Sequence, residues 1–335
     1  MGDIVLIDPS DNQTVFTFLS EFNSKWKGQT EIEVTVLTII FVAAVAGNGL
    51  VLLVILKCRR LRSATNFFIA NLAFTDLLLA SGIPFIATTR VTTSWEFGDV
   101  ICKLVTYIQF IAGTCSILTM MMISIERYTY ICFSHRRRMS GQLACWIISG
   151  VWAISITFPL PIALAQSEQS IHQNGNVYIF CGIQWQEGFH ADVYLISMGI
   201  LFCMLPLIVL TIFYYKIFHM VRTSTRRSQL RGSTRGNKLQ VRLIKMSVLI
   251  VFMFVTMWLP FYVIGFFGVY TKSITSSNFV ITIILAMGNT CQNPIIYGYF
   301  NTRFREEFRQ LCCCGQADRQ QATANVPSTE EAERS

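Results

Sequence analysis

Length, composition and charge already narrow the class. The 335-residue chain is 53% hydrophobic and only 14% charged, with a mean hydropathy of +0.49, a balance that excludes a water-soluble domain and indicates a polytopic membrane protein. The net charge of +8 would suit nucleic acid, but the cations fall in short clusters between apolar spans, the pattern that orients a membrane protein, so a nucleic-acid partner is excluded.

In chain order, residues 1–33 form a short polar segment holding Asp3, Asp8, Asp11 and Glu21. It has no basic n-region and no apolar run ahead of a small-residue cleavage site. No cleaved signal peptide is therefore expected, and the first membrane helix serves as the signal. The segment reads as an extracellular tail glycosylated at Asn12, within Asn12-Gln13-Thr14. Seven apolar spans follow at approximately 34–57, 65–88, 99–133, 142–165, 190–220, 238–270 and 277–300, each long enough to cross a bilayer as a helix. The fold class predicted is an all-α membrane protein, a seven-transmembrane helix bundle over 34–300. In 301–314, Phe304, Phe308 and Leu311 have amphipathic helical spacing and lead to Cys312, Cys313 and Cys314, so a short interfacial eighth helix with palmitoyl anchors is expected. Residues 315–335 are polar and read as a disordered cytoplasmic tail.

Cations set the orientation. Lys57, Arg59, Arg60 and Arg62, then Arg136 to Arg138, then the segment from Arg222 to Lys245 all lie on one side, while 163–195 contains no Lys or Arg. The amino terminus is expected outside the plasma membrane and the carboxyl terminus inside. The third span runs from Cys102 through an almost wholly apolar stretch to Glu126, Arg127 and Tyr128. Charges in lipid cost roughly 2.5–3.5 kcal/mol each on insertion scales, so the Glu-Arg pair is expected to face protein or a water-filled cleft where something docks or switches.

Of the eleven cysteines, Cys102 and Cys181 alone fall outside. A bond between them closes a loop of about eighty residues and contributes on the order of 4 kcal/mol in the chain-entropy model; two free outer thiols are the alternative. The histidines show no ligand spacing, and no metal site is expected apart from sodium. Asn48, Asp76, Ser116, Asn289 and Asn293 lie within apolar spans and must point into the bundle, as polar glue between helices or as an ion site; a lone mid-membrane carboxylate such as Asp76 favours the second. Pro206, Pro260 and Pro294 mark bends within spans.

Taken in order, Gly47-Asn48, Leu72-Ala73 with Asp76, Cys102, Glu126-Arg127-Tyr128, Trp152, Pro206 with Tyr214, Phe254 with Met257-Trp258-Leu259-Pro260, and Asn293-Pro294-Ile295-Ile296-Tyr297 resemble the rhodopsin-like (class A) G-protein-coupled receptors over nearly the whole membrane part. The resemblance implies a receptor that catalyses nothing itself, has no cofactor beyond an allosteric sodium ion, and works with a heterotrimeric G protein, arrestin and receptor kinases. It implies a coupling switch at Glu126, Arg127, Tyr128, Tyr214, Gln240, Asn293, Pro294 and Tyr297, and a sodium pocket at Asp76, Ser116, Asn289 and Asn293. Gln240 departs from the pattern, since many members carry a Glu there to hold the inner Arg. A neutral acceptor holds it less strongly, and appreciable basal activity is expected.

Gln109 stands where amine receptors resemble one another in an Asp, and Met287 where light-sensing members have a Lys, so neither an amine ligand nor retinal is expected. Ile83-Pro84 with Arg90 and Trp95, Gly113 through Thr119, and Trp185 four residues after Cys181 are similar to the free fatty acid receptors for long chains. That likeness implies a long-chain fatty acid or related lipid, bound by Arg90, Trp95, Gln109, Phe110, Gly113, Trp185, Trp258, Phe261 and Tyr262. Burial of about 0.8 kcal/mol per CH₂ would hold the chain, while Arg90 read its carboxylate; ordinary helix packing, and an interfacial charge at Arg90, are the alternatives. Gln109 and the turn Trp95-Glu96-Phe97-Gly98 are also similar to neuropeptide receptors, which makes a peptide the alternative ligand. A channel or transporter would need a continuous polar path, and a scaffold would need none of the ordered motifs.

Overall fold

A computed structural model describes residues 27–58, 63–132, 139–173, 176–186, 188–230, 248–264, 276–300 and 305–306. Helices dominate because a chain in hydrocarbon must satisfy every backbone polar group within itself. The first span is α1 (Gln29–Lys57), so Gln29 and Glu33 of the expected tail are helical. The second is two pieces, α2 (Ala64–Ala80) and α3 (Ile83–Thr92), and the third is α4 (Gly98–Cys132). The fourth breaks into α5 (Gly141–Thr157) and α6 (Leu160–Ala165). The fifth comprises α7 (Ala191–Gly199), a π-turn at Ile200–Met204, and α8 (Leu205–Leu230). Then come α9 (Val248–Ile264) and α10 (Ser276–Phe300). Among the described residues, six spans are long and apolar enough to cross a membrane, and α9 is a shorter apolar seventh. Asn12, Gln240, Cys312, Cys313 and Cys314 lie outside the described residues, as does most of the expected eighth helix.

Prolines within the spans free backbone carbonyls, and neighbouring helices supply donors to several of them. Pro206 has no N–H for the carbonyl of Phe202, and the chain widens into the π-turn just before it. Pro294 leaves the carbonyl of Thr290 without its helical donor, and Asn48 supplies one from α1: its Nδ2 donates to that oxygen at 2.8 Å and to the Ala44 oxygen at 3.0 Å. Gly47 allows the approach, because a Cβ there would meet the Cβ and Cγ of Pro294 at 2.9 Å. Between α5 and α6, Pro159 and Pro161 lack N–H groups, and Ile162 N–H turns to the Pro159 carbonyl (3.0 Å). Two tyrosine hydroxyls from other helices stitch this gap. Tyr107 of α4 donates to the Ile156 carbonyl (2.7 Å) and Tyr194 of α7 to the Phe158 carbonyl (2.8 Å).

α4 runs through the bundle against α2, α5 and α8, while α1 packs on α2, α3 and α10. One apolar cluster joins Leu72, Leu79, Ala112, Leu118, Phe254, Trp258, Ala286 and Ile296 at the centre. A second, nearer the Cys102 end, joins Leu37, Ile83, Ile86, Trp95, Phe279 and Met287. Asn71 binds three helices: its Nδ2 donates to Thr119 Oγ1 (2.8 Å), and its Oδ1 accepts from Trp152 Nε1 (2.8 Å).

The segment expected only as a loop between the fourth and fifth spans contains an antiparallel hairpin, β1 (Gln166–Gln173) with β2 (Asn176–Ile183). The sequence signal for it is Asn174-Gly175, a two-residue pair that favours a tight hairpin turn. The Cys102–Cys181 disulfide pins β2 to α4. Glu168 N–H donates to Asp99 Oδ1 (3.0 Å) and Trp95 N–H to the Ile179 carbonyl (2.9 Å), fixing both edges of the hairpin over the bundle.

Candidate functional site

The mid-bundle polar residues are all buried, and two of them, Asp76 and Asn293, are bonded to each other. Asn48, Asp76, Ser116 and Asn289 are fully buried and Asn293 nearly so. Asn293 Nδ2 donates to Asp76 Oδ2 (2.8 Å), and Gln292, not anticipated, donates to Asn289 Oδ1. Asp76 Oδ1, Ser116 Oγ and Asn293 Oδ1 have no hydrogen-bond partner. A buried carboxylate whose bonded neighbour Asn293 also keeps an open oxygen is chemistry that suits a small monovalent cation, and unsatisfied polar atoms in hydrocarbon call for such an occupant or for water.

Toward the Cys102 end lies the aromatic set. Trp258 packs on Phe254 (6.0 Å between centroids), edge-on to Phe261 (5.8 Å) and on Tyr262 (5.9 Å), and Phe261 stacks on Phe279 (5.8 Å). A methyl placed on Gly113 would lie 4.0 Å from Cη2 of Trp258, so α4 carries no bulk beneath that ring. Phe110 is half-buried, and its carbonyl takes the Thr114 hydroxyl. Gly113, Trp258, Phe261 and Tyr262 thus form one group.

The other expected ligand residues have partners of their own. Gln109 is buried, and its Nε2 donates to the Leu78 carbonyl (3.3 Å) beside the α2–α3 break. Its amide fills the space at Gly82, where a Cβ would stand 2.7 Å from Cδ. Trp95 is buried rather than open to a ligand; its Nε1 donates to the Gly98 carbonyl (3.0 Å) and its ring packs on Phe97 (5.0 Å). Trp185 stacks on Phe189 (5.1 Å) and meets Tyr194 edge-on (5.8 Å), at the exit of the hairpin.

Arg90 departs most from expectation. It is only 2% exposed and paired with Glu33, with Nε 2.9 Å and Nη2 2.8 Å from Glu33 Oε2. Gln29 Nε2 donates to the other carboxylate oxygen at 2.7 Å. Neither an interfacial charge nor a guanidinium open to a ligand carboxylate describes it, because the chain supplies the carboxylate itself. Gln29 and Glu33 are four residues apart at the start of an apolar helix, a polar stripe legible in the sequence but assigned to the tail.

At the opposite end, Arg127 Nε lies 3.7 Å from Glu126 Oε2. Tyr128 packs on Phe213 (5.0 Å), with Lys216 Nζ 5.8 Å from the tyrosine ring centre. Asn293 and Tyr297 are buried and Pro294 partly so, all in α10. Tyr214 lies on α8, and Gln240 falls outside the described residues.

Comparison with known proteins agrees with this arrangement. The model of the 7 transmembrane receptor (rhodopsin) family matches residues 47–297. The chain is 30% identical to somatostatin receptor type 5 of Bos taurus over 295 residues, covering 85% of this chain and 77% of the relative. It is 29% identical to somatostatin receptor type 4 of Rattus norvegicus over 280 residues, covering 82% and 71%. It is also 29% identical to tachykinin-like peptides receptor 86C of Drosophila melanogaster over 304 residues, covering 86% and 60%. These relatives correct the expected likeness to free fatty acid receptors and leave the expected lipid ligand without support. Two thirds of the chain and more lies within that match, and the protein belongs to the rhodopsin family of seven-transmembrane G-protein-coupled receptors, which are not enzymes.

Proposed function

We propose that the protein is a peptide receptor of the plasma membrane, with its Cys102 end outside, that promotes nucleotide exchange on a heterotrimeric G protein at its Arg127 end. The relatives named for somatostatin and tachykinin-like peptides carry this reading. The Glu33–Arg90 pair supports it: a fatty-acid carboxylate would have to expel a resident carboxylate already held through both oxygens. The hairpin pinned over the bundle supplies a polar surface with exposed Glu168, Ser170 and His172, suited to peptide groups and poorly suited to an acyl chain.

In this reading the peptide meets the hairpin and the outer ends of the spans, and the Gly113–Trp258–Phe261 group receives its deepest side chain. Asp76, Ser116, Asn289 and Asn293 hold a sodium ion in the resting state, where it neutralises the buried carboxylate. Glu126 holds Arg127 until the sixth span moves and frees the guanidinium for the G protein, with arrestin and receptor kinases acting on the same inner face. Displacement of a labelled somatostatin or tachykinin-like peptide from membranes bearing the full chain tests the ligand class. Displacement by unlabelled peptide and not by a long-chain fatty acid is the expected result; the reverse order would return the lipid reading.

A further inference from the structure

Tyr194 touches three parts of the protein at once. Its hydroxyl donates to the Phe158 carbonyl at the broken end of the fourth span (2.8 Å), and its ring stacks on Phe158 (5.7 Å). Trp185 and Phe189, which follow the hairpin, each meet that ring at 5.8 Å. Below it α7 runs without interruption into the π-turn at Ile200–Met204, and Phe202 of that turn packs edge-on against Phe158 at 4.9 Å. The hairpin itself starts at Gln166, directly after α6, and ends beside it, where Gln184 N–H donates to the Ala165 carbonyl (2.7 Å). The exit of the hairpin, which lies over the bundle as a lid, the broken fourth span and the outer arm of the fifth span therefore share one side chain.

We propose that Tyr194 is a positioning residue for signalling: it tethers the fifth span's outer arm to the lid and to Phe158 in the resting state, so that a ligand shifting the lid releases the arm at the π-turn. The inference rests on the receptor reading above and goes beyond it by naming the contact that transmits the signal. In this proposal the structure described, with Arg127 Nε 3.7 Å from Glu126 Oε2, stands for the resting state. A bond present in one state and absent from the other biases the equilibrium by its own free energy. π-turns mark places where a helix changes register at low cost.

Tyr107 provides the control, since its hydroxyl makes the same type of bond, to the Ile156 carbonyl, without involving the fifth span. The full chain is reconstituted with a heterotrimeric G protein, and nucleotide exchange is measured without agonist for the wild type, Tyr194→Phe and Tyr107→Phe. Each change removes one hydroxyl and keeps the ring. Exchange is expected to rise up to about fivefold in Tyr194→Phe, the equivalent of one net hydrogen bond of about 1 kcal/mol, and to stay at the wild-type level in Tyr107→Phe. Both variants should lose thermal stability alike. Exchange in Tyr194→Phe equal to wild type overturns the proposal, and so does an equal rise in both variants, which would make Tyr194 a general stabiliser. Arg127→Ala and somatostatin are included in the same series. A wild type that exceeds Arg127→Ala neither with nor without peptide counts against the receptor reading, whereas an unaltered Tyr194→Phe in a responsive preparation counts against the tether alone.

Discussion

The side-chain amide of Asn48 donates to the carbonyl oxygen of Thr290 across the bundle, 2.8 Å away, and so replaces the donor that Pro294 withholds. Gly47, the preceding residue, makes room for the ring of that proline. The Gly47-Asn48 pair of the first span and the Asn293-Pro294 pair of the seventh are therefore two halves of one joint.

Loss of the joint has a measurable cost. Asn48→Leu strands a buried carbonyl and is expected to lower stability by about 1–3 kcal/mol. Gly47→Ala forces the two helices apart, whereas Gly49→Ala, with open space at its Cβ, is expected to leave stability unchanged. Thermal unfolding of the purified receptor checks the three together, and equal effects at Gly47 and Gly49 would contradict the joint.

The Glu33–Arg90 pair is expected to behave as a buried ion pair whose halves depend on each other. Arg90→Ala or Glu33→Ala leaves an uncompensated charge and should lower stability by about 3–5 kcal/mol, while Glu33→Leu with Arg90→Met should cost far less than either single change. A double variant as unstable as the sum of the singles would show that the two side chains do not act as a pair.

Much of this was legible in the sequence for physical reasons. Hydrocarbon penalises polar groups, so the spans stand out, and so do the buried Asp76, Asn289 and Asn293. Cys102 and Cys181 are joined, as expected of two cysteines sharing an oxidising side. What could not be read depends on distance or on backbone geometry. Glu33 and Arg90 are 57 positions apart, and nothing local ties a glutamate near the start of one helix to an arginine at the end of another. The place of Gln109 in the third span suggests a ligand contact, yet the break between α2 and α3 gives its amide a structural partner. Nothing in the sequence marks Tyr107 and Tyr194, because the carbonyls they serve open only where Pro159 and Pro161 disrupt the fourth span.

If sodium occupies the pocket around Asp76 in the resting state, it favours that state over the agonist-bound one. Raising sodium is expected to lower the affinity of an agonist peptide in the wild type and to have no effect in Asp76→Asn. Agonist binding that ignores sodium in the wild type would assign these residues to hydrogen bonding between helices alone.

Arg127 lies beside Glu126 rather than at the ligand end, so its loss should separate binding from coupling. Arg127→Ala is expected to keep peptide affinity and surface expression while removing agonist-stimulated nucleotide exchange. Full exchange in that variant would place coupling elsewhere.

The most direct measurement is G-protein dissociation in cells expressing the full chain, read against somatostatin, tachykinin-like peptides and long-chain fatty acids in parallel, with Arg127→Ala as the uncoupled reference. A peptide is expected to drive dissociation in the wild type but not in Arg127→Ala, with the fatty acids silent. Dissociation driven by a long-chain fatty acid, with every peptide silent, would contradict the peptide-receptor assignment.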